Sequence, residues 1–163
     1  MNLNSIYGPI SKELSLVEEE LKRQINIITS SQSFMHQEFI SPILGHLLKV
    51  PGKLLRPALV LLCGKAVNNL ETEKIDQLIK LATAVEFVHS ASLIHDDIID
   101  GSNYRRHQVS LNKQYGNQIA VLIGDIFYAQ FFSILINLDI ENKGYREKLF
   151  TGFLQHDKKT LLW

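Results

Sequence analysis

The sequence predicts an all-α protein built as a bundle of antiparallel helices. Apolar residues recur at three- and four-residue steps through most of its 163 residues, the periodicity of helices with one buried face. Prolines stand only at positions 9, 42, 51 and 57, so beyond Pro57 none can break a helix. Runs with the two-residue alternation of a strand are scarce. No fixed-period repeat or low-complexity tract points to a solenoid or a linker, which leaves one bundle.

The first helix spans about Ser11 to Ile28, where Leu14, Val17, Leu21, Ile25 and Ile28 line one face and Glu and Lys fill the other. A second apolar stretch, Phe39, Ile40, Ile43, Leu44, Leu47 and Leu48, ends at Pro51-Gly52, a dipeptide that favours a turn. The run Ala58 to Val67 is apolar nearly all round, as for a helix buried on most sides, and Lys53 and Arg56 stand at its entrance. Asn68 and Asn69 with Glu71 and Glu73 resemble a helix start, and no breaker follows until Gly101, so one long helix runs to Asp100. The polar segment Ser102 to Gly116 reads as a loop. Ile119 to Leu138 forms another nearly all-apolar helix, and a last amphipathic piece follows Gly144.

Composition bounds the function. Seventeen Lys and Arg balance seventeen Asp and Glu, so no global field draws the chain to nucleic acid or an anionic membrane. Any basic site must be local. The lone Cys63 excludes an intramolecular disulfide, fits a reducing compartment, and reads as a small buried hydrophobe. No stretch reaches the roughly 18 uncharged apolar residues of a membrane span, and the first thirty carry Glu and Lys where a signal peptide would be apolar. The reading is a cytoplasmic protein with no membrane span.

The chemistry concentrates at the end of the long helix, His95-Asp96-Asp97-Ile98-Ile99-Asp100. Asp96 and Asp100 lie about 40° apart around a helix and roughly 6 Å along it, so their carboxylates share a side and can share a cation. Hard carboxylate oxygens suit Mg²⁺, which takes one or two carboxylates and completes its octahedron with water and phosphate oxygens. The plainer alternative is a solvated acidic helix end, but negative charge there opposes the helix dipole.

His89 lies seven residues before Asp96 and falls on nearly the same face two turns earlier. His95 and His107 read as ordinary core or surface groups. Arg105 and Arg106 follow the carboxylates with planar forks suited to phosphate, although a solvated pair is the commoner fate of loop arginines. Lys53 and Arg56 follow Gly52 at a helix entrance, where backbone N–H groups favour an anion. Together these groups make a site for two polyanions, most economically two diphosphates.

Five motifs in order, Gly52-Lys53-Leu54-Leu55-Arg56-Pro57, Glu86-Phe87-Val88-His89, the run from His95 to Arg106, Gly116-Asn117 and Gly124-Asp125, resemble the trans-polyprenyl diphosphate synthase family. The resemblance extends from about the first helix to Leu138. It implies the all-α bundle of isoprenoid and terpene synthases, in truncated form, with residues 1–163 as the N-terminal half of the domain. It implies condensation of isopentenyl diphosphate with an allylic diphosphate: Mg²⁺ draws off the allylic diphosphate, and the alkene attacks the carbocation. By position, Asp96 and Asp100 would coordinate Mg²⁺, with Asp97 supporting them and Arg105 binding the allylic diphosphate. Lys53, Arg56, His89 and Arg106 would hold isopentenyl diphosphate. Small side chains at Ala91 and Ser92, with Val88 a further turn down, would let the product grow beyond C20, although close helix packing accounts for small residues equally well.

The chain departs from the family in two places. After the arginines it has His107, Gln108, Val109 and Ser110 where Gly-x-Pro-Thr is usual. A second aspartate-rich motif is absent, and the isolated Asp139 and Asp157 cannot replace it. Uncovered apolar faces then imply a homodimer. Two explanations stand: a truncated normal enzyme, which is preferred, or a naturally short, non-catalytic diphosphate-binding subunit that regulates a full-length partner. A histidine-aspartate phosphohydrolase would need more ligating histidines than His46, His89 and His95 supply. A di-iron bundle would need a second copy of Glu86-x-x-His89.

Overall fold

The computed structural model describes residues 3–30, 37–48, 52–67, 72–105, 108–138 and 151. Its elements are α1 (Leu3–Tyr7), a 3₁₀ turn (Gly8–Ile10), α2 (Ser11–Ser30), α3 (Gln37–Leu48), α4 (Leu55–Ala66), α5 (Thr72–Ile99), β1 (Tyr104–Arg105), β2 (Gln108–Val109), α6 (Leu111–Tyr115) and α7 (Asn117–Ile136). The all-α expectation holds, with one two-stranded antiparallel sheet among the described residues, in which Tyr104 pairs Val109 and Arg105 pairs Gln108.

The apolar line of α2 does what its periodicity predicts: Val17, Ile25 and Ile28 are buried. Before it, α1 and the 3₁₀ turn were not legible, because a five-residue helix shows no periodicity. They carry Tyr7, whose hydroxyl donates to the carbonyl of Lys53, and Ile10, which is fully buried. Pro57 lies in the first turn of α4, where its missing N–H has no partner to lose. Pro42 lies inside α3. The predicted start at Asn68 to Glu71 and the piece after Gly144 fall outside the described residues, Thr151 excepted.

Two clusters form the core, and α5 passes through both. In one, Ile10, Val17, Ala58, Leu61, Ile79 and Ala82 join the 3₁₀ turn, α2, α4 and α5. In the other, α5 residues Phe87, Ala91 and Ile94 meet Ile25, Ile43, Leu111, Ile123 and Phe127. Phe87 and Phe127 pack tilted at 5.1 Å, a favourable aromatic geometry. Gly64 lets α4 approach α5, since a Cβ there would stand 2.5 Å from Leu78.

Two expectations need correction. Cys63 is exposed, and Leu55 (48%) and Leu59 (61%) show that α4 buries one side only. An apolar run lacks the contrast that reveals which face is open. The segment 102–116 folds into β1, β2 and α6. Its short strands are held by Ser110, whose N–H donates to the Asn103 carbonyl and whose Oγ donates to the Ser102 carbonyl at 2.7 Å. Among the described residues, α7 is long and apolar enough to cross a membrane by length and composition, although it carries Asp125. It packs along α5, with Ile123, Phe127, Phe131 and Leu135 buried, as the core helix of a bundle does.

Candidate functional site

The long helix ends where Gly101 predicts. Gly101 adopts φ 61°, its N–H donates to the Ile98 carbonyl at 3.2 Å, and the Ser102 N–H donates to the Asp97 carbonyl at 2.9 Å. This paired closure satisfies orphan carbonyls and needs a residue tolerant of a left-handed backbone. Asn112 adds Nδ2 bonds to the carbonyls of Asp97 and Ser102, both at 3.2 Å, tying α6 to the end of α5.

The three carboxylates separate by face. Asp96 and Asp100 are exposed, and among the described residues neither side-chain carboxylate makes a hydrogen bond or an ion pair. Asp97 points inward, its side chain 7% accessible. Arg105 grips it bidentately, Nε to Oδ2 at 2.6 Å and Nη2 to Oδ1 at 2.7 Å. Hydrogen bonding to Asp97 raises the pKa of Arg105 most; partial burial opposes the rise, and the fields of Asp97, Asp96 and Asp100 add to it. Arg105, read from sequence as an anion-binding fork, therefore has a protein partner in this conformation.

The donor set fits a hard divalent cation. Two accessible carboxylates on successive turns, with no protein partner among the described residues, match what Mg²⁺ takes from a protein when phosphate and water complete its shell. Among the described residues no group of three or more His, Cys, Asp or Glu could hold a metal by itself, so a cation here relies on ligands outside that set.

A second constellation lies at the entrance to α4. Nη1 of Arg56 stands 2.8 Å from Nε2 of His89. A guanidinium cannot accept, so His89 accepts through an unprotonated Nε2. Lys53 is exposed, and its own carbonyl receives the Tyr7 hydroxyl. Between Lys53 and Arg56, Leu54 has φ 48° with its side chain buried. A left-handed leucine carries strain that local packing must offset. Neither Tyr7 nor Leu54 had a sequence signal, since nothing in a leucine marks a left-handed backbone. Arg106 and His107 lie outside the described residues.

The remaining positions divide. Ala91 is fully buried, while Val88 and Ser92 are half-buried. Ser92 Oγ donates to the Val88 carbonyl at 3.0 Å and lies 3.1 Å from the Tyr128 hydroxyl. A cavity of about 410 Å³ opens elsewhere on α5, lined by Leu21, Phe87, Leu93, Asp97 and Arg105 among others. Neither Asp96, Asp100, Arg56 nor His89 lines it.

Comparison with known proteins gives the site a context. The family described as Polyprenyl synthetase matches residues 37–157. A prenyl transferase of Synechocystis is 36% identical over 143 residues, 85% of this chain and 40% of that protein. Heptaprenyl diphosphate synthase component 2 of Geobacillus stearothermophilus is 32% identical over 130 residues, 80% of this chain and 37% of that protein. A crystal structure of polyprenyl synthase from Caulobacter crescentus, complexed with calcium and isoprenyl diphosphate, superposes with a TM-score of 0.70 at 27% identity. It covers 83% of this chain and 38% of that one. The chain thus spans about 40% of the length of the relatives it matches.

Proposed function

We propose that this chain, which belongs to the polyprenyl synthetase family, contributes the cation-binding half of a prenyltransferase that joins isopentenyl diphosphate to an allylic diphosphate. The observation that carries the reading is the arrangement on α5. Asp96 and Asp100 present exposed carboxylates, while His89, two turns earlier, meets Arg56 from the entrance of α4. One polyanion requires a cation between it and the carboxylates; the other meets positive charge directly.

Asp96 and Asp100 hold Mg²⁺ in this reading, and Asp97 supports their turn through its pair with Arg105. The bound Mg²⁺ supplies Lewis-acid stabilisation of the charge that grows on the departing allylic diphosphate. Arg56, His89, Lys53 and Arg106 hold isopentenyl diphosphate, whose phosphates stay intact and need only charge and orientation. Arg105 keeps its pair with Asp97 and offers Nη1, which that pair does not use, to the allylic diphosphate. The small Ala91 and Ser92, with Val88, leave room for a product longer than C20, in keeping with a heptaprenyl relative. The protein works in the cytoplasm as a homodimer.

A second reading rests on the similarity to a synthase component. The chain then binds diphosphate without turnover and regulates a full-length partner.

Incubation with Mg²⁺, labelled isopentenyl diphosphate and primers from dimethylallyl to geranylgeranyl diphosphate separates the two. Products beyond C20 that vanish in Asp96→Ala and shorten in Ser92→Phe support the enzyme. Mg²⁺-dependent binding with product only after addition of a full-length synthase supports the subunit. No binding and no product defeats both.

A further inference from the structure

His95 precedes Asp96 in sequence but faces the other way. Its ring crosses to α7 and occupies the place where residue 124 would carry a side chain: a Cβ on Gly124 would come within 2.2 Å of His95 Nε2. Nε2 lies 3.3 Å from the Val121 carbonyl oxygen and 3.6 Å from Oδ1 of Asp125. The ring packs on Tyr128 with centroids 5.6 Å apart at 37°. The Ser92 hydroxyl proton goes to the Val88 carbonyl, so in the Tyr128–Ser92 contact the Tyr128 hydroxyl donates, tying the same patch one turn further back.

Such a seat answers a physical need. The last turn of α5 carries three carboxylates against the negative end of the helix dipole, and two of them must stay unneutralised to receive a cation. On one side the turn is anchored by Arg105 on Asp97 and by Asn112 on the Asp97 carbonyl. On the other side His95 in the Gly124 notch is the anchor. We infer that His95 is a positioning residue that locks the end of α5 against α7 and thereby fixes the turn presenting Asp96 and Asp100. The inference rests on the cation reading proposed above for its purpose. The mechanical claim stands separately, because it concerns the backbone bonds Asp100 N–H to Asp96 carbonyl at 2.8 Å, Gly101 to Ile98, and Ser102 to Asp97.

The test uses the full chain as wild type, His95→Ala, Gly124→Ala and the double variant. Amide hydrogen exchange is followed at Asp100, Gly101 and Ser102 without cation, together with thermal stability and Mn²⁺ affinity. Both single variants are expected to speed exchange at these amides and to weaken Mn²⁺ binding about 10- to 100-fold, the usual effect of losing a group that orients metal ligands. In the double variant the alanine methyl at 124 fills space the ring has left. Thermal stability then recovers while exchange and Mn²⁺ affinity stay impaired. Wild-type exchange in His95→Ala overturns the inference, as does recovery of exchange and affinity together with stability in the double variant. Asp96→Ala distinguishes the two readings. If it binds Mn²⁺ as wild type does, the cation site is wrong, and exchange alone decides the role of His95.

Discussion

Arg105 Nε and Nη2 meet the two carboxylate oxygens of Asp97 at 2.6 and 2.7 Å, with the carboxylate 7% and the guanidinium 36% accessible. The pair joins the last turn of α5 to β1. It also divides the aspartate cluster, neutralising the buried carboxylate within the protein and leaving the two exposed ones open.

Removing one partner leaves a buried charge alone. Arg105→Leu is expected to destabilise the fold by about 3 kcal/mol, the lower end of the range for broken buried pairs because Arg105 is partly exposed. Asp97→Leu with Arg105→Leu should recover much of that loss. Urea unfolding of the two single variants and the double measures the coupling directly.

Asp96 should show the opposite balance. Its charge opposes the helix dipole, so Asp96→Asn is expected to raise Tm by about 1 °C. The same variant should abolish Mg²⁺-dependent ligand binding. Calorimetry of the two properties on one preparation checks both.

The core was legible where its pattern was periodic. Val17, Ile25 and Ile28 on α2 and the Gly101 stop of α5 follow directly from spacing and from the conformational freedom of glycine. The candidate site residues stood out as residue types at helical intervals, Asp96 with Asp100 and His89 before them, and Asp96 and His89 lie on α5 with Asp100 just past its end. What spacing could not give is direction in three dimensions. It could not assign Asp97 to Arg105, turn His95 into the Gly124 notch, or expose Cys63, because each depends on which neighbouring helix arrives. The pairing of β1 with β2 escaped notice because two-residue strands have no alternation to detect.

Phe87 sits at the crossing of α5 and α7, 1% exposed, with its ring 5.1 Å from that of Phe127. Phe87→Ala is expected to cost about 3–5 kcal/mol, which would unfold a marginal domain. Denaturant midpoints measure it, and Phe87→Leu should retain most of the stability.

Acid should weaken the junction of α2 and α4. Lys65 Nζ donates to Glu13 Oε1 at 2.7 Å and to the Pro9 carbonyl at 3.1 Å. Its hydrogen bond lowers the Glu13 pKa below the ordinary value near 4.5, against a smaller upward push from burial. The folded state therefore binds this proton less tightly than the unfolded chain. The stabilisation is present above about pH 4.5 and is lost as pH falls through the lowered value. Lys65 is partly exposed, so the effect stays below about 1 kcal/mol. Stability measured from pH 7 to pH 3 should fall less steeply in Glu13→Gln than in wild type.

In the proposed function, α5 presents one diphosphate site that works through a cation and a second that does not. Titrating a non-reactive allylic diphosphate analogue and isopentenyl diphosphate separately into the chain, with and without Mg²⁺, tests this division. The analogue is expected to bind only with Mg²⁺ and to lose binding in Asp96→Ala, while isopentenyl diphosphate is expected to bind without Mg²⁺ and to lose binding in Arg56→Leu. Isopentenyl diphosphate binding that requires Mg²⁺ and Asp96, or analogue binding indifferent to both, would contradict it.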